Sequence, residues 1–185
     1  MKVFKQIFLL MLALMIAFTF FACDDKKPNA NDDSNSENIK TTNATENDIL
    51  KAYFDAIEKT DAETYLELIP EKAKTAYKNY EGNNLNSFAE EKFEYYFEKF
   101  EAVCGENIKI SVNTTAVSEM SDEEFDEIKE TYDYWSLNDI EIEKGSLAEF
   151  EIAVIGDNGE GTGSGNAMII KEDGNWVVYD VKLNF

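Results

Sequence analysis

The chain has 185 residues with 17 lysines against 38 acids, a formal charge of −21, and neither arginine nor histidine. Without histidine, Ser-His and Cys-His nucleophiles and His-rich zinc sites are excluded together. A negative field of this size favours solubility and repels phosphate backbones and anionic headgroups, which argues against nucleic acid as a partner; a cationic partner is compatible with it but not implied.

Lys2 and Lys5 precede a run without charge from Ile7 to Phe21, and Ala22-Cys23 then meets Asp24, Asp25, Lys26 and Lys27. A positive start, an apolar middle and a small residue at a cleavage point form an export signal. As a helix the run rises about 22 Å, short of the roughly 30 Å hydrocarbon core, so a permanent span is the weaker reading. The stretch Phe20-Phe21-Ala22-Cys23 resembles the lipobox of bacterial lipoprotein signal peptides, with Phe20 where leucine is usual. That resemblance implies removal of residues 1–22, diacylglyceryl modification of the Cys23 thiol, and a chain held to the outer face of a membrane by its acyl chains. An ordinary signal peptide and an uncleaved anchor are the alternatives, and both also place the domain outside the cytoplasm. The mature chain would keep 15 lysines and all 38 acids, a charge of −23.

Only Cys104 then remains, so the exported domain has no intramolecular disulfide and stands on its core; Cys104 itself reads as a small buried hydrophobe. Residues 24–45 are almost wholly polar, with Ile39 the exception, and cannot bury enough surface to offset the entropy of ordering. With Cys23 they form a disordered tether, averaging roughly 26 Å end to end as a flexible coil. Residues 46–185 make one domain.

Thr45 with Asp48 starts a first helix running to about Lys59, with Ile49, Leu50, Tyr53, Phe54 and Ile57 on one face. Asp61 caps a second segment that buries Tyr65, Leu66 and Ile69, and Pro70 opens a further turn carrying Ala73, Ala76, Tyr77 and Tyr80. Ser87 with Glu90 forms a capping box ahead of the strongest helix, whose stripe is Phe93, Tyr96, Phe97, Phe100, Val103 and Cys104 before Gly105. Ile108, Ile110 and Val112 alternate as a strand to about Val117. Ser121 with Glu124 then caps a helix over 122–134. Ala148, Phe150, Ile152 and Val154 form the inward face of the next strand, with a bulge or turn at Gly145, and residues 156–165 read as a loop. Ala167–Lys171 and Trp176–Leu183 are strands joined through Asp173-Gly174, the best short hairpin signal in the chain. The fold class is α+β: N-terminal helices packed on a strongly curved antiparallel sheet of about four strands.

The helix carrying Tyr53-Phe54-Asp55-Ala56-Ile57-Glu58-Lys59-Thr60-Asp61-Ala62 and the closing Glu172-Asp173-Gly174-Asn175-Trp176-Val177-Val178 resemble the cystatin-like cone of nuclear-transport-factor-two-like domains, among them uncharacterised lipoproteins of low-GC bacteria. The resemblance spans residues 46–185 and implies a bent sheet wrapped around the long helix, with a pocket at the mouth. It also implies that a homodimer could form through the outer sheet. Fold alone decides nothing about chemistry.

The residues placed near such a pocket are Tyr96, Tyr132, Trp135 and Trp176, since aromatic rings supply apolar walls with polar tips, although core packing explains the same stripes. The Asp157-Asn158-Gly159-Glu160 run lacks the alternating carboxylates of a calcium loop and the lysine of a phosphate cradle, and reads as a turn. No catalytic residue, metal or cofactor is indicated. The preferred function is a noncatalytic module that binds a small apolar ligand or a protein partner. The alternative is a small enzyme using a pocket Asp or Glu, supported by a tyrosine, as general acid/base.

Overall fold

A computed structural model describes residues 45–185. The signal segment, Cys23 and tether residues 24–44 lie outside the described residues. Thr45, which the composition places in the tether, is instead the N-cap of helix α1 (Glu46–Glu58): its hydroxyl accepts from the Asp48 N–H at 3.3 Å while the Asp48 carboxylate accepts from the Thr45 N–H at 3.0 Å. The five apolar residues expected on its inner face are all buried. Asp61 caps α2 (Ala62–Glu67), accepting from the Thr64 N–H at 3.1 Å, and Pro70 precedes α3 (Glu71–Tyr80).

The long helix α4 (Leu85–Cys104) starts earlier than the Ser87–Glu90 box suggests. Asn84 is the cap: its side chain accepts from the Asn86 N–H and donates to Ser87 Oγ, so Ser87 is drawn into the first turn. Phe93, Tyr96, Phe100 and Cys104 are buried as expected, but Val103 is 56% exposed. From Phe100, the i+4 position of Cys104 stays on the stripe while i+3 falls at its margin.

Strand β1 (Lys109–Glu119) leads through α5 (Asp122–Tyr134) to β2 (Ile142–Gly156), β3 (Gly159–Glu172) and β4 (Asn175–Asn184). The sheet order is β1-β2-β3-β4 with every pair antiparallel, so the α+β class and the four-stranded sheet stand as expected. Each pair carries a register shift, and such bulges sharpen twist and bend a sheet.

Two local expectations are corrected. The bulge assigned to Gly145 lies between Ile142 and Lys144, and β2 runs on through Gly145, which pairs with Ile170 beneath Met120. Residues 156–165 are not a loop. The chain reverses at Asp157-Asn158, Gly156 pairs with Gly159, and Gly161, Gly163 and Gly165 lie within β3. These glycines answer a packing demand: a Cβ at Gly161 would stand 2.8 Å from the Phe185 ring and 2.9 Å from the Cys104 sulfur.

The inner face of the sheet, including Phe150, Ile152, Val154, Ile169 and Val178, packs with α1, α2 and α4 into the main core. On the opposite face Ile170 and Val177 meet Ile128 and Tyr132 of α5 in a second, smaller cluster. The shift between Met168 and Ile169 leaves Tyr179 unpaired in β4, which switches the inward set from Trp176 and Val178 to Val181 and Leu183.

Each edge is covered in part. The Ile110 N–H of β1 donates to the Glu58 carboxylate at 2.6 Å and the Thr114 N–H to Asn47 at 3.1 Å, both from α1; the Val178 N–H of β4 donates to the Leu68 carbonyl at 2.7 Å.

Glu172, at the end of β3, is buried, and both its oxygens accept from the Glu71 N–H at 3.2 Å, supplying α3 with the cap that Pro70 cannot. Burial holds its carboxyl above the ordinary value of 4.5, against the lowering effect of that N–H. The folded chain therefore binds this proton more tightly than the unfolded chain does. The associated stability is present below the unfolded pKa and is lost as pH rises through the folded one. Glu172→Gln keeps an acceptor for Glu71 without the buried charge. Comparing urea midpoints at pH 4 and pH 7, we expect the variant to gain on the wild type at the higher pH.

Candidate functional site: a tyrosine-lined cavity

Helix α3 buries none of its residues in the core. Its apolar side, Ala73 and Ala76 with Tyr77 and Tyr80, instead lines an open cavity of about 580 Å³ whose other walls come from α1, α2, α4 and β4. That volume is within the range of small-molecule sites. Ile69, Pro70, Phe88, Val178 and Val181 add apolar wall, and the lining includes seven of the nine tyrosines: Tyr53, Tyr65, Tyr77, Tyr80, Tyr95, Tyr96 and Tyr179.

Three of these meet where α1, α2 and α4 converge. The Tyr53 hydroxyl lies 3.3 Å from that of Tyr96 and 3.5 Å from that of Tyr65, and all three residues are buried. Burial raises all three: Tyr53 well above the usual phenol range, Tyr65 up to about 12, and Tyr96 in the same direction, opposed in the last two by the hydroxyl bond to Tyr53. The cluster is therefore neutral at physiological pH. Three hydroxyl protons and two mutual contacts leave one donor over. Nearer the surface, Tyr77 donates to Glu91 at 3.0 Å and Lys72 donates to the Tyr179 hydroxyl at 2.8 Å.

The charged residues of the lining are Glu81, Lys92 and Asp180. Glu81 and Asp180 are exposed, so the cavity has no buried carboxylate poised for proton transfer. The described residues do hold one buried acid beside a tyrosine. Glu172 stands near Tyr132, whose hydroxyl is raised by burial first and then by that carboxylate, yet makes no hydrogen bond of good geometry. Neither residue lines the cavity, and the carboxylate is committed to the start of α3.

No family model matches this chain. No curated protein matches it either. Among solved structures it is similar to an NTF-2 like protein of unknown function from Shewanella oneidensis MR-1, at 11% identity and a TM-score of 0.42, covering 74% of this chain and 93% of that one. The fold class here rests on the element order and strand pairing themselves.

The four aromatic residues singled out in the sequence are not gathered in one place. Tyr96 lines the cavity. Trp135 stands just outside it, edge-on to the lining residue Tyr80 at 5.9 Å. Tyr132 packs under α5 on the other face of the sheet, and Trp176 belongs to the main core. Sequence reasoning missed Tyr53, Tyr65, Tyr77, Tyr80, Tyr95 and Tyr179 as lining residues, reading the first four only as the apolar faces of their helices. A signal was present: Phe54, Phe93 and Phe100 show that the core accepts plain rings, so tyrosine at 53, 65 and 96 brings hydroxyls that must find partners.

Proposed function

We propose that residues 46–185 form a noncatalytic binding module that holds a small, largely apolar molecule in the tyrosine-lined cavity, on a chain exported and tethered to a membrane through Cys23. The observation that carries the binding role is an apolar recess with a neutral hydroxyl cluster in its wall and no buried acid facing it, an arrangement suited to holding and orienting rather than to moving protons. The enzyme alternative would need a carboxyl such as Glu172 to open onto the cavity.

Ala76→Trp tests the binding role by filling the recess from α3. We expect it to abolish shifts of the cavity tyrosine resonances in NMR titrations with apolar aromatic compounds while circular dichroism stays unchanged. Unaltered shifts in the filled variant would refute the site. The anchor rests on the Lys2/Lys5, Ile7–Phe21 and Ala22-Cys23 pattern. Labelling with radioactive palmitate in the native host should mark the wild type and not Cys23→Ser.

A further inference from the structure

The cavity is open at its mouth, yet the three tyrosines at its floor are nearly out of reach of solvent: Tyr53, Tyr65 and Tyr96 are 6%, 2% and 6% exposed. A molecule larger than water reaches that floor only if a wall moves. Four of the five walls are fixed, because α1, α2, α4 and β4 each contribute buried residues to the main core. Helix α3 contributes none.

A ten-residue helix is marginal in water by itself, so the order of α3 depends on what ties it down. Its ion pairs do not, since Lys74 at 3.2 Å and Lys78 at 3.6 Å both meet Glu71 of the same helix. The first turn is tied to the sheet: Glu172 accepts from the Glu71 N–H and Lys72 donates to the Tyr179 hydroxyl, while just ahead of it the Leu68 carbonyl accepts from Val178. Toward the other end, the one hydrogen bond to another element among the described residues is the surface bond from Tyr77 to Glu91. Two ring contacts accompany it, Tyr77 with Phe88 at 5.0 Å and Tyr80 with Trp135 at 5.9 Å. Residues 78–80 are exposed, and beyond them Gly82, at φ +116°, has nothing within 4 Å of where a Cβ would stand. The connection to α4 therefore has room to swing.

We infer that α3 is the lid of this cavity, hinged at its first turn and clasped by the Tyr77–Glu91 bond, and that a ligand enters and leaves when the clasped end swings out. The lid's purpose rests on the cavity being a binding site. Elements with few buried contacts open at a lower free energy than the whole domain unfolds. The clasp holds the closed lid equally with and without a ligand. Weakening it therefore speeds entry and exit together and leaves their ratio, the affinity, unchanged.

Glu91→Ala removes the clasp at an exposed position that does not line the cavity. Hydrogen exchange on the full chain, resolved by residue, should show the amides of residues 75–80 exchanging at least about tenfold faster, relative to their intrinsic rates, than the core amides of α1 and α4, and with little dependence on low urea. In Glu91→Ala the α3 amides should exchange about fivefold faster again, the scale of one hydrogen bond, with α1 and α4 unchanged. Indole, followed by NMR line shapes of the cavity tyrosines, should associate and dissociate about fivefold faster in that variant at the same Kd. Weaker indole binding at an unchanged association rate would make Glu91 a support of the wall and overturn the lid. So would α3 amides as protected and as sensitive to urea as those of α4, and either result leaves the binding role standing. Absence of any indole shift at the cavity tyrosines would remove the binding role and the gate with it.

Discussion

Phe100→Ala should lower the stability of the domain by about 3–5 kcal/mol, read as a fall in the urea midpoint at unchanged slope. Phe100 is fully buried on the inner face of α4 near its C-terminal end, its ring 4.9 Å from that of Phe185 and 6.0 Å from that of Tyr96. The cost has two parts: the lost transfer of a large apolar side chain and the cavity left behind. Collapse into that space is restricted, because α4 is held on one side by α1 and α2 and on the other by the sheet. With no disulfide among the described residues to limit the unfolded chain, a loss of this size would be a large share of the total stability. A fall below about 1 kcal/mol would mean that α4 is not the centre of the core.

Gly165→Val is expected to be of similar severity by the opposite mechanism, about 3 kcal/mol or more of overpacking. An added Cβ would lie 2.5 Å from Phe150 Cζ and 2.6 Å from the Lys182 carbonyl oxygen. The ring could turn away, but the carbonyl belongs to the neighbouring strand, whose Leu183 pairs with Gly165. Gly165→Ala should cost less than Val, and Phe150→Leu should recover only the part due to the ring, a non-additivity that a double-mutant cycle measures. Equal stability of the Ala and Val variants would show that β4 yields at this point.

The parts of the fold legible in the sequence are those fixed by local chemistry. Thr45/Asp48 and Ser121/Glu124 each place a helix start correctly because both halves of a capping box lie within four residues. Asp173-Gly174 marks its turn because both residues have positive φ, which this pair tolerates. The misreadings have two causes, a residue placed for a distant neighbour and a competing local cap. Gly161, Gly163 and Gly165 looked like a loop, but they make room for Phe185, Asn184 and Phe150. Ser87 looked like a cap, but Asn84 had already taken that role.

Of the aromatic residues named from the sequence, Tyr96 lines the recess, whereas Tyr132 and Trp176 occupy stripes of the same periodicity that face elsewhere. Periodicity tells which side of an element turns inward; it does not tell which inward side meets a partner and which meets a void. Helix α3 shows the difference, since its apolar side has the pattern of a core face and lines the recess.

The covered strand edges restrict how another protein could engage this domain. Recognition by strand addition needs a row of free backbone donors and acceptors along an edge. Here Glu58 and Asn47 intercept donors at Ile110 and Thr114 and Leu68 one at Val178, so at those positions an incoming strand would first have to displace α1 or the α2–α3 connection. Over the same stretches, joining of crowded copies sheet to sheet is opposed by the same means.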